Sequence, residues 1–205
     1  VGVDETAGTY LSAADTVAAL IDRVDPAALT GPGLGDWDLR ALIGHTGRAL
    51  TTVVQYFDQP AAVEDVTAPE AYFALVAQTR IDPAAIAERG RAAGEALGAD
   101  VAAGFRELLA AARTAVSATS PDALVTTIAG GMRARAYLPT RTFELVVHGL
   151  DVAAATGLSV DFAAEVLIEA TQLAARVCVL TGQAPVLLGA LTGRAPLPAG
   201  FSLVP

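Results

Sequence analysis

Arg141-Thr142-Phe143-Glu144-Leu145-Val146-Val147-His148-Gly149-Leu150-Asp151 sets Glu144, His148 and Asp151 into a largely apolar run that follows Arg141 and Thr142. At about 100° per residue, a four-residue step puts Glu144 and His148 on one helix face, and three more residues add Asp151 to it. Pro139 upstream is a place for this helix to begin, and Gly157 a place for it to end. A carboxylate and an imidazole presented to one point are two ligands of the kind that borderline divalent ions accept. A third would have to come from a facing helix.

The chain has only one other histidine, His45. It falls in a second helical pattern, capped by Asp36 and running through Asp58, with Asp38 in its first turn and an inward stripe of Leu42, His45, Ala49, Val53 and Tyr56. Each histidine alone also reads as a hydrogen-bonded core residue. Glu144 alone reads as a solvated residue or as the partner of Arg141 three positions earlier. Both histidines and one acid nevertheless fall on apolar helix faces, where unpaired burial is expensive.

Composition points the same way. Of the 205 residues, 53% are apolar, 5% aromatic and 45 are alanine, which favours helices and is depleted from strands. An all-α fold in one domain spanning 1–205 is expected, with a minor β-hairpin. The net charge of −9, from 22 acids against 13 bases, argues against a polyanion-binding surface, so no nucleic-acid partner is expected. Asp4 and Glu5 interrupt any leader-like start. The apolar-leaning run Val177 to Gly193 is broken by Gly182, Pro185 and Gly189, so no membrane partner is expected. The lone Cys178 rules out an internal disulfide and fits a reducing compartment, hence a cytoplasmic location.

Further helices are expected over Thr9–Val24, over Pro69–Thr79, from Asp82-Pro83 to Ser117 with a break available at Gly98, over Phe162–Thr181, and over Val186–Leu191. The hairpin is expected between Leu124–Ile128 and Met132–Tyr137, turning at Gly130-Gly131.

Two segments together carry a family resemblance. Trp37-Asp38-Leu39-Arg40-Ala41-Leu42-Ile43-Gly44-His45 resembles a W-x-x-R-x-L-x-x-H motif, and Arg141 to Asp151 resembles R-x-x-E-x-x-x-H-x-x-D. Both belong to the DinB/YfiT-like superfamily, in its mycothiol-dependent maleylpyruvate isomerase N-terminal family. The tail, Leu191-Thr192-Gly193-Arg194 to Leu197-Pro198-Ala199-Gly200-Phe201-Ser202, is similar to the ending of short members. The resemblance implies a four-helix bundle in which His45, Glu144 and His148 ligate a metal, zinc first, with nickel or another divalent ion as alternatives. It also implies a mycothiol-like thiol as cosubstrate. Isomerase members carry a further C-terminal domain for which 205 residues leave no room. Thiol S-transfer to an electrophile is therefore expected ahead of maleylpyruvate isomerisation.

Several roles stay open. Asp151 is either an acceptor for a ligand histidine's N–H or an exposed helix residue. Trp37 either packs on the bundle or lines a substrate pocket. Arg133 and Arg135, on one strand face, either join Arg141 in binding an anionic substrate or form a solvated edge. Arg40 is expected to pair with Asp36 or with an acid on a neighbouring helix, and Cys178 to be packed rather than reactive. The alternative to an enzyme is a non-catalytic, stress-associated metal-binding bundle. The oligomeric state is open, a homodimer among the options.

Overall fold

Four amphipathic helices enclose the core of the computed structural model, which describes residues 5–78 and 82–203. They are α1 (Glu5–Ile21), α2 (Leu39–Phe57), α5 (Val101–Ala118) and α6 (Ala134–Thr156). Around the bundle α1 packs on α6, α6 on α2, α2 on α5 and α5 on α1. Tyr10, Val17, Leu42, Leu50, Phe105, Tyr137 and Leu145 are among the side chains sealed between them. Burying such surface is the main favourable term for a fold of this kind.

The remaining elements dress the bundle. α3 (Pro69–Gln78) and α7 (Ala164–Leu180) pack on each other and on α6, α4 (Pro83–Ala96) covers α2, and α8 (Ala184–Leu191) extends from α7. A two-stranded antiparallel hairpin, β1 (Leu124–Thr127) and β2 (Gly130–Arg133), precedes α6. Among the described residues no helix is long and apolar enough to cross a membrane. The all-α fold with a minor hairpin is thus observed.

Several boundaries differ from expectation, each for a local reason. Asp38, not Asp36, caps α2, its carboxylate accepting from the Ala41 N–H at 2.8 Å. The long helix after Asp82 divides into α4 and α5: Gly98 takes φ +78° and Asp100 caps a new helix. The end expected at Thr79 lies outside the described residues.

The hairpin turns at Ile128-Ala129, with Thr127 paired to Gly130. Gly131 lies within β2 because the Val63 carbonyl occupies the place of a side chain, 1.9 Å from where a Cβ would stand. The alternation through Tyr137 does not continue the strand. Ala134 and Arg135 instead donate their N–H groups to the carbonyls of Ala123 and Pro121, which starts α6 five residues before Pro139. Pro139 then sits in the second turn of α6 at the expense of one backbone hydrogen bond.

Two contacts lock α4 onto α2. A Cβ on Gly44 would stand 2.1 Å from the Gly94 nitrogen, so these helices meet backbone to backbone. Arg40 reinforces the contact by donating to the carbonyls of Gly94 and Gly98 at the end of α4, rather than pairing with Asp36.

Candidate metal centre

Packing of α6 on α2 brings the two motifs together. One ligand-capable atom from each of His45, Glu144 and His148 lies within 4.8 Å of the others. Donors about 2.0–2.2 Å from one ion cannot be more than about 4.4 Å apart, so modest side-chain rotation suffices to gather them. The imidazole rings of His45 and His148 meet edge to face, centroids 4.8 Å apart.

Each side chain is held by its neighbours. His148 Nδ1 lies 3.0 Å from Asp151 Oδ2, and its Nε2 lies 3.2 Å from Glu144 Oε2. Asp151 is thus half-buried and within hydrogen-bond distance of His148 rather than exposed to solvent. Trp37 stacks on His45 with centroids 4.5 Å apart and donates its indole N–H to the Ala87 carbonyl on α4. Gly90 makes room for that indole: a Cβ there would be 2.6 Å from Trp37 Cε2. His45 Nδ1 is buried without a hydrogen-bond partner, an unsatisfied donor or acceptor in the wall of the site.

The charges follow from this packing. Burial, and then the charge of His148, hold His45 down to about 4, with Arg48 and Arg89 contributing in the same direction. Burial also opposes a charged His148, but its hydrogen bonds to Asp151 and Glu144 prevail and push it up to about 9. Glu144 shifts the other way: burial resists its ionisation, yet the His148 hydrogen bond and Arg141 keep it below the usual carboxylate range.

Arg141 is buried, its guanidinium 5.3 Å from the Tyr72 ring centre and 5.0 Å from that of Tyr137, with Nε donating to Thr140 Oγ1. The nearest acid is Glu144, at 4.0 Å. The two aromatic rings, together with Glu144, keep a positive charge inside the fold.

Arg133 and Arg135 do not join it. Arg133 pairs with Glu64 and Asp122 and Arg135 with Asp122, and Arg135 lies in the first turn of α6 rather than on a strand face. Cys178 is buried in α7, away from the centre, and burial raises its thiol pKa, which disfavours thiolate.

The centre opens on a cavity of about 480 Å³, large enough for a small organic substrate. Trp37, Tyr56, Tyr72, Phe73 and Ile128 supply apolar walls, and Arg48, Arg89 and Arg141 supply positive charge. Trp37 thus both packs and lines the pocket. Arg48 and Arg89 escape a reading of the sequence because arginines on helices ordinarily mark solvated faces; only the docking of α4 on α2 turns both toward one space.

A convergent His–Glu–His set on the second and last bundle helices calls for comparison with known families. The family described as mycothiol maleylpyruvate isomerase N-terminal domain matches residues 10–153. The chain belongs to that family. The match contains all three residues of the His–Glu–His set, together with Asp151, Trp37 and Arg141, with His45 on α2 and Glu144 and His148 on α6. No curated protein and no solved structure matches the chain.

Proposed function

We propose that His45, Glu144 and His148 hold a divalent ion, zinc in the first place, and that the protein activates a mycothiol-like thiol for transfer to an electrophile. The observation that carries this is the convergence of two imidazoles and one carboxylate at the end of a cavity, in a chain of a mycothiol-related family. Three protein donors are the number found in catalytic zinc sites, which leave a position for an exogenous ligand. A bound cation of this class lowers the pKa of a coordinating thiol, so that thiolate is available at neutral pH.

The chain's own residues do the rest. Asp151 accepts from His148 Nδ1–H, which fixes the tautomer and aims Nε2 at Glu144 and His45. Trp37 supports the His45 ring against α4 and, with Tyr56, Tyr72 and Phe73, gives the cavity an apolar wall that excludes water from the reacting atoms. The His148 hydrogen bond, and then Arg141, keep Glu144 anionic and therefore available as a donor.

The test compares wild type with His148→Ala for helical content, bound metal and consumption of mycothiol, with cysteine as a control thiol. Metal and thiol transfer should fall together while helicity is kept. A variant that loses metal yet consumes thiol at the wild-type rate contradicts the proposal. A wild type that binds metal and consumes no thiol with any electrophile favours a non-catalytic metal-binding role.

A further inference from the structure

Val166, Ala170, Leu173 and Val177 turn one side of α7 to the core. Opposite them, Ala164, Ile168, Thr171, Ala175 and Val179 recur at steps of four, three, four and four residues, so they form a second stripe on the far side of the same helix. The three charged residues of α7, Glu165, Glu169 and Arg176, lie together on one flank between the two stripes. The outer stripe carries no charge, and on it Ile168 is 55% exposed and Val179 67%.

α8 continues this surface. It packs on α7, has no charged residue and has none that is buried, with Leu188 60% and Leu191 73% exposed. From Val177 to Gly193 the chain contains no acid and no base. A helix that is apolar all round is ordinarily covered. Among the described residues, Ile168, Val179, Leu180, Val186, Leu188 and Leu191 together leave roughly 600 Å² of apolar surface open, the top of the range for the largest patch on a monomer. Two such faces bury roughly 1,200 Å², which reaches the area that stable protein–protein interfaces need.

Charge selects the partner. A chain of net charge −9 repels both an anionic lipid surface and, over most of its exterior, a copy of itself. On the outer face of α7 and α8 two copies meet with no like charges opposed, and a two-fold axis makes a single patch its own complement. An unlike protein would find no charged group on this face to fix its orientation.

We infer that the chain forms a two-fold symmetric homodimer through the outer stripe of α7 and the apolar surface of α8, with Val179, midway in sequence between Ile168 and Leu191, close to the axis. α7 also packs on α3, which carries Tyr72 and Phe73 of the cavity wall, so the dimer braces that wall from behind. The family match ends at residue 153, and this surface lies wholly beyond it.

The test measures the mass of the full chain in solution by light scattering after size exclusion, at high micromolar concentration. Wild type should have twice the chain mass. The double variant Val179→Glu, Leu188→Glu should be a monomer with unchanged circular dichroism, its association weakened about 100-fold or more because its carboxylates would be buried unpaired. Val63→Glu, at a similarly exposed position in the loop before α3, should leave the dimer intact. A second measurement does not depend on the folding of a charged variant. Val179→Cys, made with Cys178→Ala to remove the native thiol, should be joined to its own copy by a short bismaleimide, whereas Val63→Cys in the same background should not.

A monomeric wild type overturns the inference, whether or not it binds lipid vesicles. So does a dimer that persists in the glutamate variant, and so does a dimer that Val179→Cys fails to crosslink. Growth beyond the dimer with rising concentration overturns it as well, because a two-fold interface closes. Neither readout draws on metal or thiol, so the result stands apart from the proposed activity.

Discussion

His148 Nδ1 and Asp151 Oδ2 lie 3.0 Å apart, one helical turn from each other on α6, which leaves Nε2, 3.2 Å from Glu144 Oε2, as the ring nitrogen on the side of the converging donors. Asp151 is not one of the three converging donors, yet it decides what His148 can offer them. An acceptor behind a ligating imidazole both orients the ring and raises its basicity. Asp151→Asn should lower zinc affinity by about 10- to 100-fold with the helical content unchanged, as competition with a chromogenic chelator would measure. Unchanged affinity would mean that the contact is structural only.

Proton competition for the centre should come from one histidine. His148 carries its proton up to about 9, whereas His45 is already neutral above about 4. For His148 Nε2 to become a ligand its proton must leave, so apparent zinc affinity rises with pH, about tenfold per unit between about pH 5 and 8, and levels off above His148's raised pKa. Calorimetry at pH 7 in buffers of different ionisation enthalpy should find about one proton released from the site's imidazoles. Release of two, or none, contradicts the assignment.

The α2–α4 contact should tolerate no added carbon. A Cβ at Gly44 would stand 2.1 Å from a backbone atom of Gly94, where no side chain can rotate away. Gly44→Ala should therefore destabilise the fold by about 1–3 kcal/mol, the usual range for overpacking, by urea unfolding. Gly35 has open space where a Cβ would stand, but its φ of +57° makes it a poor control. Gly189 is better: it has ordinary surroundings and no positive φ, and its change to alanine should cost little.

The candidate centre is legible in the sequence to the extent that it is local. Glu144, His148 and Asp151 share one helix, so a 3.6-residue period places them on one face without knowledge of the rest of the fold. His45 joins them because the chain has a single further histidine and because its motif carries a family resemblance. Arg48 and Arg89 are not legible, since their lining of one cavity depends on where α4 docks, and that is set by Gly44 and Gly94, glycines whose role emerges only when two backbones touch. The start of α6 escapes the sequence for a related reason. Alternation through Arg133 to Tyr137 reads as strand, but the partner strand runs out at Leu124 and the next N–H groups find turn carbonyls instead.

Whether the His–Glu–His set activates a thiol is tested most directly by cobalt substitution. Co²⁺ accepts the same donors as zinc and reports a sulfur ligand through a charge-transfer absorption that nitrogen and oxygen ligands do not give. Titrating the cobalt-loaded protein with mycothiol at pH 7 should produce that band, saturating at one thiol per chain, and His148→Ala should fail to develop it. A cobalt spectrum that mycothiol leaves unchanged, in protein that has bound one ion through His45, Glu144 and His148, would contradict thiol activation at this centre.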